Sequence, residues 1–237
     1  MERLFDIQIE KLKTRLIKMC SLVDEQVDFA IKAMEEEDAD LAQVVLDRDK
    51  KVDKYDVKIE KVCQKIFALY QPVAMDLRLI MSSLTINNNL ERIGDIAVNI
   101  AEAFLILKKK PSFIDKTKFS EMAKVTKEMV KDSIDAFIEN DAKLAQKVLK
   151  TDDILDELNR ENHKILIELM KADPAVIEEA VTLLVTSRQM ERMGDHATNI
   201  AEDVYFIVEA QLIKHKYEKI MLDDDNDDDA ETENQEN

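Results

Sequence analysis

Apolar residues recur every three or four positions along nearly the whole chain, which is the spacing of one face of an α-helix. Between residues 3 and 35 these positions include Leu4, Ile7, Leu12, Leu16, Met19, Val23, Val27, Ala30, Ile31 and Met34. The pattern is interrupted near residues 35–38, at Pro72, over residues 108–112 and at Pro174. It therefore predicts six long helices, over about residues 3–35, 39–70, 73–107, 116–139, 142–171 and 174–222.

The residues at these interruptions explain why the helices end. Asp38 has a side chain suited to an N-cap, where it accepts a hydrogen bond from the backbone of the next turn. Pro72 and Pro174 disfavour helix in the residue before them and suit the first turn of a new helix. The segment Lys108-Lys109-Lys110-Pro111-Ser112 has the composition of a linker. We expect a first repeat over residues 1–108, a linker over 109–116, a second repeat over 117–222 and a tail over 223–237.

The second half of the chain repeats the first in its letters as well as in its pattern. Leu41-Ala42-Gln43 recurs as Leu144-Ala145-Gln146, and Glu91-Arg92-Ile93-Gly94-Asp95 recurs as Glu191-Arg192-Met193-Gly194-Asp195. The offset is 103 residues for the first pair of segments and 100 for the second, and the difference falls near the two prolines. The sequence predicts an all-α fold of two tandem three-helix bundle repeats with a pseudo-twofold relation.

Composition supports this fold class and limits the function. The chain has only 2 glycines and 3 prolines, too few for the turns of a β-sandwich or a parallel α/β fold. Its net charge is −17, and residues 223–237 hold nine acidic residues and no basic one, so we expect a disordered acidic tail and no nucleic-acid binding. No apolar run is long enough to span a membrane, and Cys20 and Cys63 are too few for a disulfide framework. We expect a soluble, cytoplasmic protein.

Four pairs of acidic residues share the spacing i, i+4, which places both carboxylates of a pair on the same face of one helix. A solvated helix face explains a single such pair, but these four occupy corresponding positions in the two repeats. If helices two and three of each repeat pack antiparallel, we expect the pairs to converge as two carboxylate clusters. The pairs are Asp49 and Asp53, Glu91 and Asp95, Asp152 and Asp156, and Glu191 and Asp195, and the same face continues through Asn99, Glu102, Asn199 and Glu202.

Converging carboxylates raise each other's pKa and need a counter-charge to stay ionised. Arg92, Arg192, Lys50 and Lys54 could supply it, and so could a cation. Oxygen-only donors suit hard cations such as Mg²⁺, Mn²⁺ or ferric iron, whereas the Glu-x-x-His motif of di-iron bundles is absent from the sequence. His196 points away from Asp195, and we expect it beside the site or at the surface. No constellation typical of catalysis can be assembled, so we expect a protein that is not an enzyme.

Gly94 and Gly194 are the only glycines, and each lies inside a helix between the Glu and the Asp of an acidic pair. A glycine in a helix interior costs about 1 kcal/mol relative to alanine, so a reason for it is expected. One reason is close packing of two helices. The other is that the absent side chain leaves room beside a carboxylate cluster and its counter-charge. The sequence leaves both open.

Helical repeats with Asp-x-x-x-Asp, Glu-Arg-Ile-Gly-Asp and Asn-Ile-Ala-Glu resemble the PhoU family of phosphate-uptake regulators. The segment Gln71-Pro72-Val73-Ala74-Met75-Asp76-Leu77-Arg78 is also similar to that family's sequence before its third helix. The likeness extends over about residues 1–215. The second repeat's Asp173-Pro174-Ala175-Val176 lacks the Asp-Leu-Arg ending, so any function of Arg78 is expected in the first repeat only.

The resemblance implies a regulator that couples the ATPase subunit of the phosphate ABC transporter to a sensor histidine kinase and restrains both when phosphate is ample. It implies a homodimer that reaches the membrane only through its partners. It also implies metal ions (iron, manganese, magnesium or zinc) at the eight acidic residues of the four pairs, with the two Asn and two Glu residues beyond them as weaker ligands. The alternatives are a metal-storage or buffer protein, a helical scaffold whose carboxylates only form salt bridges, and an accessory protein of a different phosphate permease.

Overall fold

The computed structural model describes residues 2–213, and within them it contains six long α-helices and no strand. They are α1 (Glu2–Glu36), α2 (Ala39–Tyr70), α3 (Ala74–Leu107), α4 (Phe119–Glu139), α5 (Ala142–Ala172) and α6 (Ile177–Glu209). Short 3-10 turns at Ile114–Lys116 and Pro174–Val176 precede α4 and α6. The all-α prediction and the order of the six helices are confirmed. The predicted acidic tail, residues 223–237, lies outside the described residues.

The corresponding helices α2 and α5 begin with the same cap. The Asp38 carboxylate accepts hydrogen bonds from the backbone N–H groups of Asp40 and Leu41, at 2.9 and 3.0 Å. Asp141 makes the equivalent pair of bonds before α5, also at 2.9 and 3.0 Å. Each cap satisfies two of the backbone donors that a helix start leaves unpaired. The N-cap predicted at Asp38 is therefore confirmed.

Two helix ends differ from the predictions. α4 begins at Phe119 and not near Lys116, because residues Ile114–Lys116 form a separate 3-10 turn; after it, the backbone N–H of Lys118 donates to the side-chain oxygen of buried Asn162 on α5, at 2.9 Å. α6 ends at Glu209 and not near Leu222. Ala210 adopts a left-handed conformation with φ of 59°, which closes the helix with a bond from its N–H to the carbonyl of Phe206.

The helices pack as two bundles that share one hydrophobic core. α1, α2 and α3 contact one another in the first repeat, and α4, α5 and α6 do so in the second. The repeats meet mainly where α3 packs on α6, with a smaller contact between α1 and α4. Cys20 and Cys63 are buried free thiols, and burial raises the pKa of each to about 12. The two helices that join the repeats are the ones that carry the Glu-Arg-x-Gly-Asp segments.

Candidate functional site

Two helices of the first repeat bring four acidic side chains within electrostatic range. Asp49 and Asp53 lie on α2, and Glu91 and Asp95 lie on α3, which packs against it. Burial raises the pKa of Asp49, and the charges of Asp53 and Asp95 raise it further. Burial also raises the pKa of Glu91, with contributions from Asp95 and from Asp53. We call these four residues the first carboxylate cluster.

The second repeat builds the equivalent cluster from α5 and α6. Burial raises the pKa of Asp152 to about 7, and the charges of Asp195, Asp156 and Glu191 add to this shift. Burial and the charges of Asp195 and Asp156 likewise raise the pKa of Glu191. Asp152, Asp156, Glu191 and Asp195 form the second carboxylate cluster.

Both glycines lie where a helix passes close to its neighbour and beside a cluster. A Cβ atom placed on Gly194 would lie 2.5 Å from Cδ2 of Leu155, which is too close for two carbon atoms, and 3.6 Å from Oδ1 of Asp152. A Cβ on Gly94 would lie 3.5 Å from Cγ1 of Val52 and 3.9 Å from Oδ1 of Asp49. Both explanations of the glycines therefore apply, because each glycine contacts a neighbouring helix and also lies beside a carboxylate.

The two clusters differ at one buried position that the sequence analysis missed. Gln26 on α1 is fully buried and hydrogen-bonds Asp49, which counteracts the rise in the pKa of that carboxyl. Its Oε1 atom is buried without a hydrogen-bond partner and lies 3.5 Å from the Cβ position of Gly94. Met129 occupies the equivalent place beside Gly194, also at 3.5 Å, and cannot donate such a bond. The offset of 103 residues between the repeats aligns Gln26 with Met129, but nothing in the sequence places either residue beside a cluster.

Arginines supply part of the counter-charge. Arg92 lies 3.4 Å from Oε2 of Glu91 and 3.3 Å from Oδ2 of Asp95. In the second cluster the positive charge of Arg192 lowers the pKa of Glu191 and of Asp195, against the larger effects of burial and neighbouring carboxylates. Lys50 and Lys54, which could also supply it, form no salt bridge with a carboxylate of residues 2–213.

The four weaker candidates lie farther along α3 and α6. Asn99 and Glu102 are exposed on α3. Asn199 turns toward the other repeat, where its Nδ2 donates to Oδ1 of Asn89 at 3.4 Å, and Glu202 is half-buried on α6. The structure therefore places Asn199 at the contact between the repeats.

His196 lies at the same contact between α3 and α6. Its Nδ1 atom is 2.9 Å from Oδ1 of Asn89, and the imidazole is half-buried. Burial lowers the pKa of His196, and the positive charges of Arg192 and Arg92 lower it further. Its position beside the cluster agrees with the prediction that it points away from Asp195.

The donor chemistry of the clusters fits a hard cation, because all donors are oxygen atoms and burial and mutual repulsion leave them short of positive charge. Oε2 of Glu91 is buried and accepts no hydrogen bond, although it lies 3.4 Å from Nε of Arg92. In the described conformation, however, no group of three or more Asp, Glu, His or Cys side chains among residues 2–213 is arranged to hold an ion. Binding would thus require the carboxylates to rotate toward one another. Their role as ligands stays a prediction.

The sequence profile of the PhoU domain matches residues 16–104 and 119–204. Among curated proteins, the chain is 39% identical over 212 residues to a phosphate-specific transport system accessory protein PhoU homolog of Aquifex aeolicus, covering 90% of this chain and 96% of that protein. It is 35% identical over 211 residues to the Thermotoga maritima PhoU homolog 1, covering 89% and 91% of the two chains.

Solved structures share the fold. The crystal structure of PhoU from Pseudomonas aeruginosa superposes with a TM-score of 0.84 and 33% identity, covering 87% of this chain and 100% of that one. The phosphate transport system regulatory protein PhoU from Streptococcus pneumoniae gives a TM-score of 0.79 with 27% identity, covering 88% and 98% of the two chains. The similarity thus extends over both repeats and both carboxylate clusters.

Proposed function

The chain belongs to the PhoU family, and on that premise we propose that it is a negative regulator of phosphate uptake and of phosphate-starvation signalling. We propose that it acts as an adaptor between the ATPase subunit of a phosphate ABC transporter and a sensor histidine kinase. The observation that carries the proposal is the match to phosphate-transport accessory proteins across both repeats. This role is regulatory and requires no catalytic step.

An exposed apolar surface at one end of the first repeat supports an adaptor role. Val73 and Met75, at the turn between α2 and α3, are 72% and 73% exposed, and Leu69 nearby is 58% exposed. Apolar side chains grouped at a surface are typical of protein-binding sites. Val73 and Met75 belong to the Gln71–Arg78 segment that resembles the family, and the second repeat lacks its Asp-Leu-Arg ending. We infer that a partner contacts the first repeat through this turn.

We further propose that each carboxylate cluster holds a hard metal ion. Asp49, Asp53, Glu91 and Asp95 would hold it in the first repeat. The corresponding ligands in the second repeat would be Asp152, Asp156, Glu191 and Asp195. The ion would supply the positive charge that Arg92 and Arg192 supply only in part. Since each cluster joins two helices of a bundle, its ionisation is coupled to how firmly those helices pack.

The location and assembly that we propose follow from the same premise. Among the described residues, no helix is both long and apolar enough to cross a membrane. We infer a cytoplasmic homodimer that comes to the membrane only through the transporter and the kinase.

The proposal is tested by complementation of a deletion strain grown in ample phosphate, with a phosphate-starvation reporter as the readout. The wild-type chain should repress the reporter. A variant with alanine at all four residues of the first cluster should fail to repress it at equal protein level. A matched control removes the same charge from exposed positions, with alanine at Glu60, Asp153, Glu178 and Glu179.

Each component of the proposal fails on its own result. If the reporter stays silent in the deletion strain, the proposed regulatory function is wrong. If the cluster variant represses the reporter like wild type, the proposed role of the carboxylates is wrong. Metal content that rises with supply far beyond a few ions per chain would indicate a storage protein instead. Normal starvation signalling combined with loss of phosphate uptake would indicate an accessory protein of a different permease.

A further inference from the structure

A groove lined by lysines runs between α1 and α2, on the side of α2 away from the first carboxylate cluster. Lys18, Lys51, Lys54 and Lys58 surround a space of about 390 Å³, with Tyr55 at its wall. An adjoining space of about 420 Å³ adds Lys11 and Arg15, with Glu10 as the acidic residue in its lining. We call the four lysines and Tyr55 the basic groove. So much positive charge in one place is unexpected in a chain of net charge −17.

The charges of the basic groove are not neutralised within the described fold. None of its four lysines forms a salt bridge with a carboxylate of residues 2–213, whereas Lys118 and Lys147 each pair with acidic neighbours. Lys58 lies over the ring of Tyr55 at 5.0 Å, and its carbonyl accepts a bond from Arg15 at 2.5 Å. Like charges held this close repel one another, so the groove favours an anionic occupant.

The second repeat shows that the fold itself does not require this groove. The offset of 103 residues gives the positions equivalent to Lys18, Lys51, Lys54 and Lys58 as Glu121, Ile154, Glu157 and Glu161. Acidic or apolar residues thus replace all four lysines on the corresponding face of α4 and α5. The carboxylate clusters, by contrast, are kept in both repeats. The basic groove is therefore a feature of the first repeat alone and calls for its own explanation.

We propose that the acidic segment 223–237 of the same chain binds in the basic groove. The segment carries nine acidic residues and no basic one, so its charge is complementary to the groove. It also lies outside the PhoU domain match, which ends at residue 204. Because it is tethered, its concentration at the groove is on the order of millimolar, enough for a weak electrostatic contact to be occupied.

The chain between α6 and the segment is long enough to reach. α6 packs on α3, which packs on α1 and α2, so the groove lies two helix layers from α6, about 20 Å away at 8–10 Å per layer. Asn87 contacts Asp56 near Lys58, and Asn89 contacts Asn199. Glu209, where α6 ends, is ten residues beyond Asn199 and therefore lies about 15 Å along the axis from that level, at 1.5 Å per residue. The fourteen residues from 210 to 223 span at most about 50 Å, more than the resulting separation of about 25 Å.

The contact is tested with the full chain and a carbodiimide, which joins a carboxylate directly to an amine that it touches. After digestion, mass spectrometry should find residues 223–237 linked to the four groove lysines roughly tenfold more often than to the exposed Lys143, Lys150 and Lys164. The yield should fall as salt rises from about 0.1 M to about 1 M, because the screening length shrinks from about 10 Å to about 3 Å. Links spread evenly over the surface lysines, or none, would overturn the proposal. So would links that join isotopically heavy to light chains in a mixture.

A second measurement uses heparin-agarose as a polyanion that competes for the groove. One variant neutralises the segment in the full chain, with Asn at Asp223, Asp224, Asp225, Asp227, Asp228 and Asp229. A matched variant neutralises six exposed carboxylates of the second repeat, at Glu139, Asp153, Glu157, Glu168, Glu178 and Glu179.

The first variant should elute at clearly higher salt than the matched one, although their net charges are equal. Adding Lys54→Gln and Lys58→Gln should abolish that difference. Equal elution of the two variants would show that the segment does not cover the groove. The same result would leave the proposed regulatory function untouched, because that function is scored by the reporter.

Discussion

The ionisation of Asp152 can be measured as a change in stability with pH. Its ordinary pKa is 3.8, and burial with the neighbouring carboxylates raises it to about 7 in the folded chain. In the unfolded chain the group ionises at its ordinary value, so the folded state binds the proton more tightly. Stability from this group is thus fully present below about pH 4 and is lost as pH rises to about 7. Asp152→Asn keeps the shape of the side chain and cannot ionise, so the variant should escape this loss.

The size of the effect follows from the shift. At about 1.4 kcal/mol per unit, a pKa raised from 3.8 to about 7 corresponds to at most about 4 kcal/mol, of which about 3 falls above pH 5. Asp152 is only half-buried, so water screens much of this interaction and we expect a gain of about 1 kcal/mol between pH 5 and pH 8.

Urea denaturation in the presence of a chelator measures this gain. The variant's advantage is the free energy of unfolding of Asp152→Asn minus that of wild type. This advantage should be about 1 kcal/mol larger at pH 8 than at pH 5. Asp47→Asn is the matched control, because it removes the same charge from an exposed aspartate of the first repeat, away from the second cluster. An advantage of the variant that is the same at both pH values, or a control with the same pH dependence, would refute a raised pKa for Asp152.

Three further outcomes follow from the clusters. With Gln26→Met, the free energy of unfolding should fall more steeply as pH rises in the same denaturation assay, because the amide hydrogen bond to Asp49 is lost. With Met129→Gln it should fall less steeply, because such a bond is gained in the second cluster. Gly94→Ala should stabilise the chain by up to about 1 kcal/mol through helix propensity. Gly194→Ala should be the less stable of the two by about 1–3 kcal/mol, because the added carbon would lie 2.5 Å from buried Leu155; equal melting temperatures would contradict this. Under the proposed metal binding, added Mn²⁺ should raise the melting temperature and a chelator should reverse the rise, and alanine at either complete cluster should reduce it.

The helices could be predicted from the sequence because their ends depend on local residues. Asp38 and Pro72 act on their own neighbours, so their effect can be read without the rest of the fold. The start of α4 could not be predicted in this way. There the backbone N–H of Lys118 donates to Asn162, which lies 44 positions farther along the chain and meets it only in the folded bundle. The end of α6 was missed for a related reason, since Ala210 carries no sequence signal for a left-handed conformation.

The clusters could be predicted from spacing, but their differences could not. The spacing i, i+4 fixes the face of one helix, and the repeat shows that the same faces recur. Neither reveals which side chain of a third helix lies against them. Gln26 and Met129 belong to α1 and α4, whose register against the clusters is set by packing. The basic face of α2 was hidden for another reason, because lysines and acids alternate along its sequence and separate only when the helix forms.

The duplication of the chain helps to separate residues kept for a shared purpose from residues that serve one repeat. α2 and α5 share the same sequence pattern. α2 directs its pair of carboxylates toward α3 and α5 directs its pair toward α6, and these are the helices through which the repeats contact each other. On its other side α2 carries Lys51, Lys54 and Lys58, where α5 carries Ile154, Glu157 and Glu161. The packing of the bundle constrains both helices alike, so it cannot explain a difference between them. The proposed contact with the oppositely charged segment of the same chain accounts for this asymmetry, because that contact involves the first repeat alone.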